Sequence, residues 1–244
     1  MDWFGCPKLP KPCRFGKSDQ YLADERCTEI GLRNHYNFPP FRDLQDINGL
    51  DEAYYTFGQA LPHRHWAFVG EVVEDRTDWV RPRFMLRSHY NEDVLVNFHL
   101  EDIPFPTYFA FEDVRVGHTM CILYAERKVF LDTNSGIRQE GPRTPFLFPV
   151  NLDLVSEECE LHEKASDPSS LVCFGCKRDG PTKRCARCRT AWYCSKECQV
   201  QHWIRAHKKL CPHAQRLRWL VSIDFASFHG FLGWDDYRFG QALD

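Results

Sequence analysis

The stretch CFGCKRDGPTKRCARCRTAWYCSKECQVQHWIRAHKKLC, from Cys173 to Cys211, decides how the rest of the chain is read. Its donors fall as Cys173-x2-Cys176, Cys185-x2-Cys188, Cys194-x3-Cys198 and His207-x3-Cys211. Eight thiolate and imidazole groups are what two tetrahedral zinc ions need when no coordination position stays open for chemistry. Two cysteines separated by two residues sit on one tight turn and hold one edge of a site. Pairs four apart face the same way on a helix, so Cys194/Cys198 and His207/Cys211 can each close a site from one helical turn. His202 lies roughly 140° from His207 around a helix, so the two cannot share a face, and His207 is the expected ligand. Spacing alone leaves open whether the four pairs are used in sequence or alternately.

The combination of Tyr193-Cys194-Ser195, Cys198-Gln199, His202-Trp203 and His207-Lys208 with these pairs resembles a MYND zinc finger. The resemblance covers about forty of the 244 residues. It implies interleaved sites, with one zinc on Cys173, Cys176, Cys194 and Cys198 and the other on Cys185, Cys188, His207 and Cys211. It further implies a peptide surface. Fingers of the co-repressor kind bind Pro-x-Leu-x-Pro segments as an added strand resting on a Gln and a Trp after the sixth ligand, and Gln199 and Trp203 hold those positions. An indole offers proline a flat apolar face, and an amide offers hydrogen bonds to a peptide backbone. Ala186 departs from the small hydroxyl residue of peptide-binding members.

Seven cysteines are an odd number for disulfides, and Met1-Asp2-Trp3-Phe4 shows neither the basic nor the apolar region of a signal peptide. We therefore expect an intracellular protein, nuclear or cytoplasmic, with Cys6, Cys13, Cys27, Cys121 and Cys159 as reduced thiols. No apolar stretch reaches the roughly 20 residues of a membrane span, so no membrane partner is expected. Charge is split. Residues 1–172 carry a net −10 and residues 173–211 a net +8. Two thiolate-rich zinc sites would cut the finger's excess to about +5.

The fold class expected is α+β: a mostly β, OB-like five-stranded barrel, then a small two-zinc cross-brace finger and a C-terminal helix. Residues 1–64 read as an irregular extension broken by Pro7, Pro10, Pro12 and Pro39-Pro40, with one short helix over Leu50 to Ala60. Residues 65–150 form the β domain. Strands are expected at Trp66 to Val73, Arg83 to His89, Val94 to Leu100 and His118 to Leu131, with a last hairpin from Gly136 to Arg138 and Phe146 to Val150. Pro104 to Val116 is long enough for a linking helix. This order, a meander followed by a long connection, suggests an OB-fold, and a β domain ahead of the finger resembles fungal-type MYND proteins. Residues 151–172, rich in Glu and Ser, read as an acidic linker that leaves the two domains loosely coupled. Residues 212–244 give a helix from Ala214 to Phe228 and an aromatic tail of Phe231, Trp234, Tyr237 and Phe239.

Enzyme chemistry finds no support. Asn34-His35-Tyr36-Asn37 lacks the small residue of a SET-type methyl-donor segment, and His99-x-Glu101 supplies only half of an iron-oxygenase triad. Ser/His/Asp and phosphate-loop patterns are absent. The favoured expectation is a non-enzymatic adaptor or transcriptional co-regulator that binds zinc and docks proline-containing protein partners. The alternative is a nucleic-acid-associated protein that uses Lys177, Arg178, Lys183, Arg184, Arg187 and Arg189 with aromatics such as Trp66, Trp79, Phe84, Tyr90 and Phe98. Against it, residues 65–150 hold 9 basic and 13 acidic side chains. The chain's own Pro145-Phe146-Leu147-Phe148-Pro149 matches the peptide pattern and could occupy the finger's groove, but the favoured reading is the last strand of the barrel, where alternation with proline is compatible with an edge strand.

Overall fold

Alternating apolar residues between Ala67 and Phe98 roll into a meander in the computed structural model, which describes residues 29–99, 109–140 and 144–232. Strands β1 (Ala67–Asp75), β2 (Arg83–Ser88) and β3 (Asp93–Phe98) pair antiparallel in succession. Two more strands, β4 (Thr119–Leu123) and β5 (Arg127–Val129), follow a connection with a 3-10 turn at Phe111–Asp113. The linking helix expected from Pro104 is not seen in the described part, and residues 100–108 lie outside it.

The expected single strand from His118 to Leu131 is broken. Tyr124 adopts φ 55°, a left-handed conformation costly for a bulky residue. The surroundings hold it there: its N–H donates to Trp66 O at 2.9 Å, and its hydroxyl meets His65 Nδ1 at 2.6 Å. The kink lets β4 pair with β1 while β5 leaves to pair with β6 (Ser135–Gln139). Strand β6 in turn lies parallel to β3, matching Leu95 with Gly136. Since β4 and β5 are consecutive pieces of chain at opposite ends of one sheet, the order β5-β6-β3-β2-β1-β4 closes through them. Counting β4 and β5 as one bent strand, this is the five-stranded OB-like barrel.

The expected last hairpin does not form. Strand β7 (Pro145–Phe148) instead adds to the outer edge of β4, where a proline at the strand's start is tolerated. Leu147 packs into the barrel core, so the Pro145–Pro149 segment is the edge strand favoured from its sequence and the self-docking alternative falls away.

The barrel interior is filled by Trp66, Phe68, Val72, Phe84, Leu86, Val96, Phe98, Met120, Ile122 and Ile137. Residues 29–64 contain no helix over Leu50 to Ala60; that stretch makes turns, with Gly58 at φ 72° and a bridge from Tyr55 to Pro62. They nevertheless contribute Leu44 and Tyr54 to this core.

The opposite face of β1, β4 and β7 is also buried. Ala67, Val69, Cys121, Leu123, Phe146 and Phe148 meet Val155 and Cys159 of helix α1 (Leu152–Lys164), together with Ala206, Leu210, Leu217 and Leu220. Here the acidic-linker expectation fails. Asn151 caps α1 by accepting the N–H of Leu154 at 3.1 Å, and Leu152, Val155, Cys159 and His162 recur on one buried face. Its glutamates occupy the other positions, so composition suggested a linker where periodicity makes a helix. Barrel and finger share this second core and are not loosely coupled. Helix α4 (Ala214–Ser222) closes it, with Trp219 edge-on to Phe146 at 5.6 Å. The helix stops six residues short of the expected Phe228. Cys6, Cys13, Cys27, Trp234, Tyr237 and Phe239 lie outside the described residues.

Candidate metal centre

Each Cys-x2-Cys pair stands on the same device. In one, the N–H of Lys177 donates to Cys173 O at 2.8 Å; in the other, that of Arg189 donates to Cys185 O at 2.9 Å. Lys177 and Arg189 both take positive φ, 63° and 61°, which folds the chain back so that the two thiols point the same way. The second pair sits in the loop of a short hairpin, β8 (Lys183–Arg184) with β9 (Trp192–Tyr193). Helix α2 (Lys196–His202) follows, capped by Ser195, whose hydroxyl accepts the N–H of Cys198 at 3.3 Å. It runs through a π-helical turn (Trp203–His207) into the short α3 (Lys208–Leu210). The turn of Gly175 lies against α2 so closely that a Cβ would stand 2.6 Å from Cys198 O, which explains a glycine between the first two ligands.

These elements gather the donors into two groups, Cys173/Cys176/Cys194/Cys198 and Cys185/Cys188/His207/Cys211. Spacing had left sequential and alternate use open; the fold uses alternate pairs. Within each group the ligand atoms lie within 4.8 Å of one another. The fit to zinc is quantitative. A tetrahedron with Zn–S near 2.3 Å has S···S edges of about 3.8 Å, and an S···N edge of about 3.6 Å. Observed edges are 3.6 Å for Cys176–Cys194, 3.5 Å for Cys194–Cys198, 3.9 Å for Cys185–Cys211, and 3.5 Å from Cys188 Sγ to His207 Nε2.

The thiols are unequal. Cys176 is lowered to about 6, first by the backbone N–H and then the side chain of Arg178. Cys188 also falls to about 6, because hydrogen bonds from His207 and Thr190 outweigh the burial that raises it. Cys211 is pushed up to about 12 by burial and by its thiolate neighbours Cys188 and Cys185. Metal binding therefore draws on two ready thiolates and must displace protons from others.

A third cluster, Glu158 with His202 and His207, was not legible in the sequence. The Glu158 carboxylate, on α1, lies 3.0 Å from His202 Nε2 and 3.4 Å from His207 Nδ1. Burial raises its proton affinity, yet the two imidazoles hold it below the usual carboxylate range. His202 lies outside both four-donor groups. It is buried, with its Nδ1 2.9 Å from the Tyr193 hydroxyl. The neighbouring Glu157 pairs with Lys177 at 2.5 Å and with Arg205, so the acidic helix neutralises part of the finger's positive charge.

Residues 173–211 match the family described as MYND finger. This segment is a MYND finger. It is a zinc-binding module of protein–protein interaction, and the two donor groups are its zinc sites. Similar stretches occur in ubiquitin C-terminal hydrolase 15 of Oryza sativa subsp. japonica, 52% identical over 45 residues, and in programmed cell death protein 2 of Bos taurus, 44% identical over 61 residues. The first covers 18% of this chain and 4% of the hydrolase; the second covers 25% of this chain and 17% of the relative. The hydrolase match is confined to the MYND finger. Among solved structures, a replication protein A heterotrimer bound to ssDNA contains a chain aligned at TM-score 0.26 and 11% identity, over 41% of this chain and 70% of that one. The S. pombe Stn1–Ten1 complex gives TM-score 0.29 and 13% identity, over 43% and 76%. Both likenesses are too slight to carry an argument, and the barrel is assigned from its strand pairing alone.

Gln199 and Trp203 are half-buried and one helical turn apart, on the surface that Cys198 anchors. Asn34 accepts the N–H groups of Tyr36 and Asn37 and builds a turn. His99 lies against Arg81, and Glu101 lies outside the described residues. Trp66, Phe84 and Phe98 are barrel core, and Tyr90 donates its hydroxyl to Phe38 O at 3.2 Å; Trp79 is exposed. Among the described residues no helix is long and apolar enough to cross a membrane.

Proposed function

We propose that the MYND finger docks a proline-containing segment of a partner protein on helix α2, and that the protein acts as an adaptor or transcriptional co-regulator. The observation that carries this is the make-up of α2 and the turn after it. Gln199 and Trp203 share one side, and Val200 and Ile204, 46% and 77% exposed, continue it as an apolar strip. α2 packs against β9, the partner of β8 in the finger's hairpin. Among the described residues β8 pairs only with β9, leaving an edge for an added strand. Ala186 removes a hydroxyl contact, so we expect a narrower set of peptides.

A Pro-x-Leu-x-Pro peptide array read by fluorescence anisotropy tests the reading. Trp203→Ala should abolish the binding while both zinc ions are retained; unchanged binding would sink it. The nucleic-acid alternative is less well supported, because Glu157 engages two of the finger's cations and most of the barrel's aromatics are core. Single-stranded and duplex nucleic acid titrated across a salt series would revive it if binding appeared and weakened steeply with salt.

A further inference from the structure

The second zinc site reaches beyond the MYND finger. His207 presents Nε2 to Cys188 Sγ at 3.5 Å, so an imidazole ligating through Nε2 carries its proton on Nδ1. The acceptor in line for that proton is Glu158 Oε1, at 3.4 Å. Glu158 stands fifteen positions before Cys173, the finger's first ligand, on the helix that seals the barrel's outer face, outside the matched segment.

Three features set this contact apart from an incidental ion pair. Glu158 and His207 are 2% and 1% exposed, so neither is screened by water. A charged carboxylate is costly to bury unless strong partners compensate it, and its Oε2 has no hydrogen-bond partner among the described residues. Compensation falls on one oxygen, shared by His207 and by His202, whose ring stacks on His207 at 5.1 Å. His202 is in turn held by the Tyr193 hydroxyl of β9. A carboxylate that accepts from a metal-bound imidazole fixes its tautomer and ring orientation and raises its basicity.

We infer that Glu158 is a positioning residue for the Cys185/Cys188/His207/Cys211 zinc, with His202 and Tyr193 as its brace, so that helix α1 belongs to the metal centre. The barrel and the finger are thereby coupled through the metal as well as through apolar contact. Removing α1 would leave a complete ligand set with a loosened histidine.

The test uses the full chain loaded with Co2+, whose ligand-field bands distinguish a four-thiolate site from one of three thiolates and an imidazole. In Glu158→Gln, chelator titration should release metal from the histidine-containing site at roughly 10- to 100-fold lower competitor, with the four-thiolate site unchanged. Leu161→Ala is the control, since Leu161 packs from the same helix into the finger's core without touching the carboxylate. It should lower the melting temperature and shift both sites together. Equal shifts in Glu158→Gln, or none, would overturn the inference. Should that variant not fold, histidine 15N spectra of the wild-type zinc protein decide: a protonated, hydrogen-bonded Nδ1 on His207 is expected, and an Nδ1 bound to metal or exchanging freely with water refutes the assignment.

Discussion

The barrel and the MYND finger solve the same problem, holding chain in place against its conformational entropy, by opposite means. The barrel core has Trp66, Phe68, Phe84 and Phe98 together with aliphatic side chains such as Val72, Leu86, Val96, Ile122 and Ile137. The finger's own core is mostly cysteine with Phe174, Ala191 and Tyr193, too little apolar area for a segment of its size. Metal makes up the difference. The lesson is that stability in one half is spread over many contacts and in the other is concentrated in two ions.

Chelation should break this symmetry most severely. Structural zinc contributes on the order of 10 to 16 kcal/mol per site, so its removal should unfold α2 to α3 and the hairpin, while amides of β1 to β3 stay protected in hydrogen exchange. Loss of protection in the barrel to the same extent would show that the shared core behind β4 and β7 cannot stand without the finger. The converse experiment is Trp66→Ala. It should cost about 3 to 5 kcal/mol in denaturant titration, with both metals still bound at low denaturant, because the indole fills the barrel and its Nε1 donates to Ala125 O.

Acid should act on the two halves by different routes. Burial lowers His89 of the barrel to about 4, helped by Arg33 and opposed by Asp153. Between pH 6.5 and about 4 the unfolded chain takes up a proton that the folded chain refuses, so stability falls as pH falls, by at most about 1.4 kcal/mol per pH unit. His89→Gln should flatten the slope of melting temperature against pH in that window. In the finger, protons compete with zinc for thiolates, and a metallochromic dye should report release that His89→Gln does not alter. The smallest effect on stability is expected from Trp203→Ala, within about 1 kcal/mol, since its ring is only half-buried; the same change should have the largest effect on peptide binding.

Much of the metal centre was legible because its ligands come in local pairs. A turn of Cys-x2-Cys or a helical i,i+4 pair is a short-range geometry. The strands of the barrel were legible for the same reason, by alternation over a few residues. What failed is instructive. The expectation that His202 and His207 cannot share a face fails, because the π-helical turn from Trp203 to His207 widens the helix and stacks the two rings 5.1 Å apart. The stretch from His118 to Leu131 contains no glycine or proline, and nothing in it announces that Tyr124 turns left-handed; the kink is held by His65 and Trp66, which are distant in sequence. Residues 151–172 were read by composition, and their glutamates hid the buried face formed by Leu152, Val155 and Cys159. Glu158 and Glu157 then appeared as solvated charge, when one contacts His202 and His207 and the other pairs with two finger cations.

The sequence by itself determined the donor set, the strand segments and the sign of charge on each side of Cys173, because each is a property of neighbouring residues. Only the tertiary structure decided that β6 runs parallel to β3, that β7 joins β4 and not β6, and that an acidic helix completes the basic finger. Those contacts join residues tens of positions apart. They exist because unpaired backbone, exposed apolar faces and a buried carboxylate must each find a partner somewhere, and local pattern does not say where.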